Sequence, residues 1–224
     1  MIQYIFLAMF FILGIIEIYG EVKNIFKITI SLRCVMMPLL ILFYVFAVPF
    51  NIDWFIVIAL LFGLGGDIFL GLRNNEKWFI FGMISFLFNQ IFYIIAFFLS
   101  ITDITDFPLE GLFLIIPVIL ILIINLPKFI NKTGEMKIPV LVYMGVILLM
   151  HIAAVLRLAD HSGLSFIFIY LGSLSFIFSD SFVAIEMFGE KEKFPQIKIV
   201  VMSTYFLAQF YITLGAVMTS LLIF

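Results

Sequence analysis

Charge is what this chain has least of. Lysine and arginine together number 12 and aspartate and glutamate 14, a charged share of 12% where soluble domains carry about 25%. No long polar stretch interrupts the sequence, so no separate soluble domain is expected. The net charge of −2 says little about partners, and none made of nucleic acid is expected. Cysteine is limited to Cys34, which excludes an internal disulfide and leaves the redox compartment open. The two histidines, His151 and His161, are too few for a zinc site built from His and Cys, so neither a metal nor any other cofactor is expected. A zinc-dependent lipid amidase is excluded on the same ground.

What is abundant is apolar. Hydrophobic residues make up 65% of the chain, 30 of them Phe, and the mean hydropathy is +1.30. This is the composition of an all-α, polytopic integral membrane protein, embedded in the bilayer as a single domain over residues 1–224. A span needs about 20 apolar residues. Eight segments qualify, near 2–19, 29–48, 54–71, 78–100, 109–126, 138–156, 163–185 and 198–222. The fifth is the least regular, because it holds Pro117 and Asn125. The first lacks a basic leader and a small-residue cleavage site, and reads as a retained span. Trp54 and Trp78 fall at predicted boundaries, where interfacial tryptophans belong.

The few basic residues orient these spans. Lys23, Lys27, Arg33, Arg73, Lys77, Lys128, Lys132, Lys137, Lys191, Lys193 and Lys198 all flank odd-numbered loops, and Arg157 alone flanks an even one. The positive-inside rule makes the odd loops cytoplasmic and both termini non-cytoplasmic. Arg157, Asp160 and His161 are expected to form an exposed polar cluster in a solvated loop.

Against this background Asp67 and Asp180 stand out, each inside an apolar segment. An ionisable group at membrane depth costs about 2.5–3.5 kcal/mol on insertion scales and is by default a candidate functional residue. Asp67 precedes Arg73 by six residues and Asp180 precedes Glu186 by six, so at about 1.5 Å per residue both sit near one level toward the cytoplasmic side. No basic residue is expected deep in a span to neutralise them. Desolvation and a like-charge neighbour both penalise the anion, so at least one should hold its proton near neutral pH, as a general acid must.

The span after each aspartate carries a polar triplet at every fourth residue, Ser85, Asn89 and Tyr93, then Tyr205, Gln209 and Thr213. That spacing puts each triplet on one helix face. The plainer role for such groups is hydrogen bonding between helices. Aligned with the aspartates, Asn89, Tyr93, Tyr205 and Gln209 become candidates for substrate binding. The recurrence, with Pro38 and Pro139 near the cytoplasmic ends of spans 2 and 6, suggests two parallel four-helix repeats, 1–104 and 105–224. Small residues around both acids, Gly63, Gly65, Gly66, Gly172, Ser173, Ser175 and Ser179, suit close helix packing. Ser179 and Ser181 lack a nearby base and are not nucleophiles. His151 is read as a packed or interfacial histidine.

The Leu-Phe-x-x-x-Gly-Asp stretch ending at Asp67, the Phe88-Asn-Gln-Ile-Phe-Tyr93 stretch, Gly172-x-x-x-Phe-x-x-Ser-Asp-Ser181 and Thr204-Tyr205-x-x-x-Gln209 resemble the YhhN family of membrane lysoplasmalogenases. The resemblance covers essentially the whole chain. It implies eight spans, a bacterial inner-membrane location, a lysophospholipid substrate and hydrolysis of its vinyl ether, with Asp67 and Asp180 as the essential acids. Two departures bear on headgroup recognition. The family commonly has histidine where this chain has Asn89, and Lys-Pro where it has Met37-Pro38, with Arg33 just over one turn earlier as the candidate substitute for that lysine. Two other classes share buried acids. A proton-coupled transporter relays protons through them. An intramembrane aspartyl protease is disfavoured because residues 64–67 read Leu-Gly-Gly-Asp, where a protease signature needs Gly-x-Gly-Asp.

Overall fold

The computed structural model describes residues 1–23, 25–72, 76–189 and 196–222, with the side chains of residues 26–30 and 76 left aside. Arg73, Lys191 and Lys193, used above for orientation, lie outside the described residues. The described chain is helical, with eight main helices: α1 Ile2–Val22, α2 Phe26–Ala47, α3 Trp54–Gly71, α4 Glu76–Leu99, α5 Ile116–Asn125, α6 Lys137–Leu156, α7 Leu164–Phe188 and α8 Ile197–Leu222. They match the eight expected spans. Among the described residues seven helical segments are long and apolar enough to cross a bilayer, and Ser31–Ala47 of α2 adds a shorter apolar helix. The protein is therefore a polytopic membrane protein.

The fifth segment is the irregular one. A 3-10 turn at Leu109–Ile115 leads into α5 and further 3-10 turns follow it, so only ten residues are α-helical. Pro117 sits in the first turn of α5, where its missing N–H leaves no bond unmade. Pro139 likewise falls in the first turn of α6, but Pro38 stands well inside α2 rather than near its end.

Seven helices close a ring in the order α1, α2, α3, α4, α6, α7, α8, with α8 returning against α1 and α2; α5 lies outside, against α7. The closest pairings are α3 with α4 and α7 with α8. Glycine makes the second possible. A Cβ at Gly172 would lie 2.9 Å from the Ile212 backbone nitrogen, and one at Gly215 would lie 3.0 Å from that of Ile169. Backbones that close pack by van der Waals contact, which is the main attraction available between helices in lipid. The pairings α2–α3, α3–α4 and α2–α8 have counterparts in α6–α7, α7–α8 and α6–α4. α1 and α5 have no such correspondence, since α1 lies along α2 while α5 packs on α7. Apolar side chains such as Ile12, Ile15, Ile123 and Leu149 point outward, as lipid-facing residues do.

Candidate functional site

Asp67 stands four residues before the end of α3 and Asp180 eight before the end of α7. Despite that difference the ring brings them to one cavity of about 80 Å³, enough for several waters, lined also by Arg33, Tyr143, Ser179 and Tyr205. Apolar walls come from Phe79, Met83, Phe86, Val140, Val183 and Phe188.

Each acid is held by a tyrosine from a different helix. The Tyr205 hydroxyl on α8 donates to Asp67 Oδ2 at 3.0 Å, and the Tyr143 hydroxyl on α6 donates to Asp180 Oδ2. Behind Tyr205 a chain of polar groups runs away from the cavity. Gln209 Nε2 donates to the Tyr205 oxygen at 3.3 Å, and the Tyr93 hydroxyl donates to Gln209 Oε1 at 2.5 Å. Tyr93 of one polar triplet thus meets Gln209 of the other, while Ser85 and Asn89 bond carbonyls of α3 and Thr213 bonds its own helix. Gly63 makes room for them, because a Cβ there would lie 2.9 Å from Gln209 Nε2 and 3.4 Å from Asn89 Nδ2.

Of the four expected substrate contacts, only Tyr205 reaches the cavity. Tyr93 and Gln209 brace it from behind, and Asn89 gives its amide to the Ala59 carbonyl at 2.7 Å. Ser179 and Ser181 donate to the carbonyls of Val201 and Ile177. His151 is packed inside, 2.8 Å from Ser173 Oγ.

Two expectations need correction. First, a cation does reach the acids. Arg33 lies about 10 Å along α2 from its start, lines the same cavity as Asp67, and is bound to Glu17 Oε1 at 2.8 Å and to Glu21. Glu17 is fully buried. The sequence carried a signal for this, since Glu17 and Glu21 are one turn apart on the first span and an acid inside a span calls for a partner. Second, Arg157 does not lie in solvent. It is 1% exposed and turned into the bundle, although Asp160 remains exposed. A positively charged residue next to a loop looks solvated in one dimension; groups from α4, α7 and α8 and the turn after α4 enclose it. Tyr143 was also missed, because one tyrosine in an apolar run is common at the membrane interface.

The YhhN family model matches residues 28–216, from α2 almost to the end of α8. The chain belongs to the YhhN family. No curated protein and no solved structure is similar enough to match. The matched range contains both aspartates, both tyrosines and Arg33, but leaves out Glu17 and Glu21 of α1.

Proposed function

We propose that this YhhN-family protein hydrolyses the vinyl ether bond of lysoplasmalogens, releasing a fatty aldehyde and a glycerophospho-ethanolamine or -choline. The observation that carries the reading is the meeting of Asp67 and Asp180, from separate helices, in one mostly apolar cavity. A protonated carboxyl delivers its proton to the β-carbon of the vinyl ether. The resulting oxocarbenium ion is stabilised by the second, ionised carboxylate. Water adds to the cationic carbon and gives up a proton to a carboxylate. The hemiacetal so formed collapses to aldehyde and alcohol, and the acids are restored. Paired carboxylates divide labour in the same way in glycoside hydrolysis. Tyr143 and Tyr205 orient the two acids, and Arg33, held by Glu17 and Glu21, brings a positive charge to the cavity wall.

Space for the hydrocarbon supports the reading. An apolar groove of about 340 Å³ between α4 and α6 shares Met83 and Tyr143 with the acid cavity. It is walled by Ile80, Ile84, Leu87, Ile138 and Val142. An alkenyl chain lying there from the bilayer would bring its ether end toward the acids. The test is mass spectrometry of purified protein incubated with lysoplasmalogen. Aldehyde release is expected from the wild type and not from folded Asp67→Asn or Asp180→Asn. A folded single variant that hydrolyses at near wild-type rate would overturn the assignment, and solute flux into liposomes without covalent change would favour transport.

A further inference from the structure

At the end of the bundle opposite the acids lies a second cavity, of about 250 Å³, lined by Tyr44, Asn51, Asp53, Ser100, Arg157 and Thr219 among others. Asp53, which caps α3, precedes Asp67 by fourteen residues, so the two cavities are separated by about 20 Å of helix. None of these groups has a part in the reaction proposed above.

Arg157 is the anomaly here. A guanidinium keeps its charge in proteins, and a buried charge is ordinarily paired. Its partners are all neutral: Ser100 Oγ at 2.9 Å from Nε, Thr219 Oγ1 at 2.6 Å and Ser165 Oγ at 3.4 Å from Nη2, and the Phe97 ring, whose centroid lies 5.9 Å from the guanidinium carbon. Nη1 is buried with no hydrogen-bond partner. Among the described residues no carboxylate comes within ion-pair distance of it, and the ion pairs there are those of Arg33. The uncompensated charge is felt nearby. His161 is held below the usual histidine range by its own burial and by the charge of Arg157.

The same cavity holds one carboxylate. Asp53 accepts the Phe55 N–H at 2.9 Å, and its own N–H donates to the Tyr44 hydroxyl at 3.0 Å. It does not pair with Arg157. The cavity therefore presents a cation and an anion set apart from each other, between hydroxyl and amide groups, with Asn51, Asp53 and Ser100 partly exposed at its rim. A simple anion would satisfy Arg157 and be repelled by Asp53. A simple cation would meet the reverse. A molecule bearing both charges, long enough to reach across the cavity, satisfies each.

We propose that this cavity is a binding site for a zwitterionic phosphate–ammonium group, with the phosphate on Arg157 and the ammonium on Asp53. Such a group can arrive as a membrane lipid headgroup or as a water-soluble phosphodiester. The site is independent of the acid cavity and of the reaction assigned to it.

The test uses the purified full-length chain and glycerophosphoethanolamine, with glycerol phosphate, inorganic phosphate and ethanolamine as comparisons. Glycerophosphoethanolamine should raise the thermal midpoint saturably and more than any comparison compound. Asp67→Asn should leave that shift in place, which separates this site from the acid cavity. Arg157→Lys keeps the charge but loses the planar fork, and should weaken binding about ten-fold or more. Asp53→Asn keeps the helix cap and should erase the preference for glycerophosphoethanolamine over glycerol phosphate, which gives a readout even where Arg157 variants do not fold. Native mass spectrometry from nanodiscs of phosphatidylethanolamine and phosphatidylglycerol separates the sources. Retained phosphatidylethanolamine identifies a lipid headgroup, and binding of the soluble compound alone identifies a soluble ligand. No saturable shift and no retained lipid, or a shift unchanged in both Arg157→Lys and Asp53→Asn, would overturn the proposal.

Discussion

Among the described residues Arg33 and Arg157 are the two cations drawn into this bundle, one toward each end, and they are accommodated in opposite ways. Arg33 is 11% exposed at its side chain and is met by two glutamates from α1. Arg157 is more deeply buried and is met by serine and threonine hydroxyls and the face of the Phe97 ring, with no carboxylate beside it. Taking a charge out of water is expensive, and attraction to a partner offsets that expense only where the geometry supplies one. The Arg33 end is internally neutralised around an acid cavity. The Arg157 end leaves a charge to be completed from outside the chain.

The sharpest way to break this comparison is at the acids. Asp67→Asn and Asp180→Asn should each lower hydrolysis by about 100-fold or more, the usual range for a lost general acid or base. The double variant should be little worse than either single one, because groups that act as a unit are not additive. Aldehyde release by folded variants measures this, and additive losses would show that the two act separately.

Arg33→Gln tests the neutralised end. It strands Glu17, which is fully buried, and Glu21, and breaking a buried pair in this way costs about 3–5 kcal/mol. Thermal unfolding should show the loss, and adding Glu17→Gln should restore most of it. A single variant as stable as wild type would mean that the ion pairs are not holding α1 to α2.

Smaller effects are expected from the tyrosines. Tyr143→Phe and Tyr205→Phe each remove one hydrogen bond to an acid, and each should reduce turnover by about ten-fold with the fold kept. A larger loss at one of them would identify the acid whose orientation limits the rate.

Orientation of the ends is tested by labelling, in a chain whose Cys34 is replaced by Ser. Glu135→Cys should react from the cytoplasmic side and Asp106→Cys from the other, since both positions are exposed in connecting segments. Thr133 would be a poor probe because it is 5% exposed. The reverse labelling pattern would place the acid cavity toward the outside.

The smallest effect is at the exposed Asp160. The Thr102 and Asp103 N–H groups bond its carboxylate and hold it below the usual value of 3.8. A depressed carboxyl stabilises the fold above its unfolded value and loses that contribution as pH falls through the folded one. Protection of the Thr102 N–H, its exchange measured against the intrinsic rate at the same pH, should therefore fall as pH drops below about 4, and should show no such fall in Asp160→Asn.

Much of this molecule was legible in one dimension. A span must satisfy its own backbone in lipid, so helix number followed from apolar length, and extent did too except in the fifth segment, where 3-10 turns flank a ten-residue α5. Asp67 and Asp180 were readable for the same reason, since an acid in such a run stands out against its neighbours. The every-fourth spacing that grouped Tyr93 with Asn89 and Tyr205 with Gln209 is local helical geometry.

What only the tertiary structure decided is which faces meet. Tyr143 and Asp180 are 37 positions apart and Tyr205 and Asp67 are 138 apart, and no helical period links such pairs. Arg33 read as a loop-flanking cation until α2 carried it beside Glu17 and the acid cavity. Arg157 read as solvated until α4, α7 and α8 closed over it. Sequence records the cost of burying a charge, but whether that charge finds a partner depends on helix packing, because electrostatic compensation acts over a few ångströms of space and not along the chain.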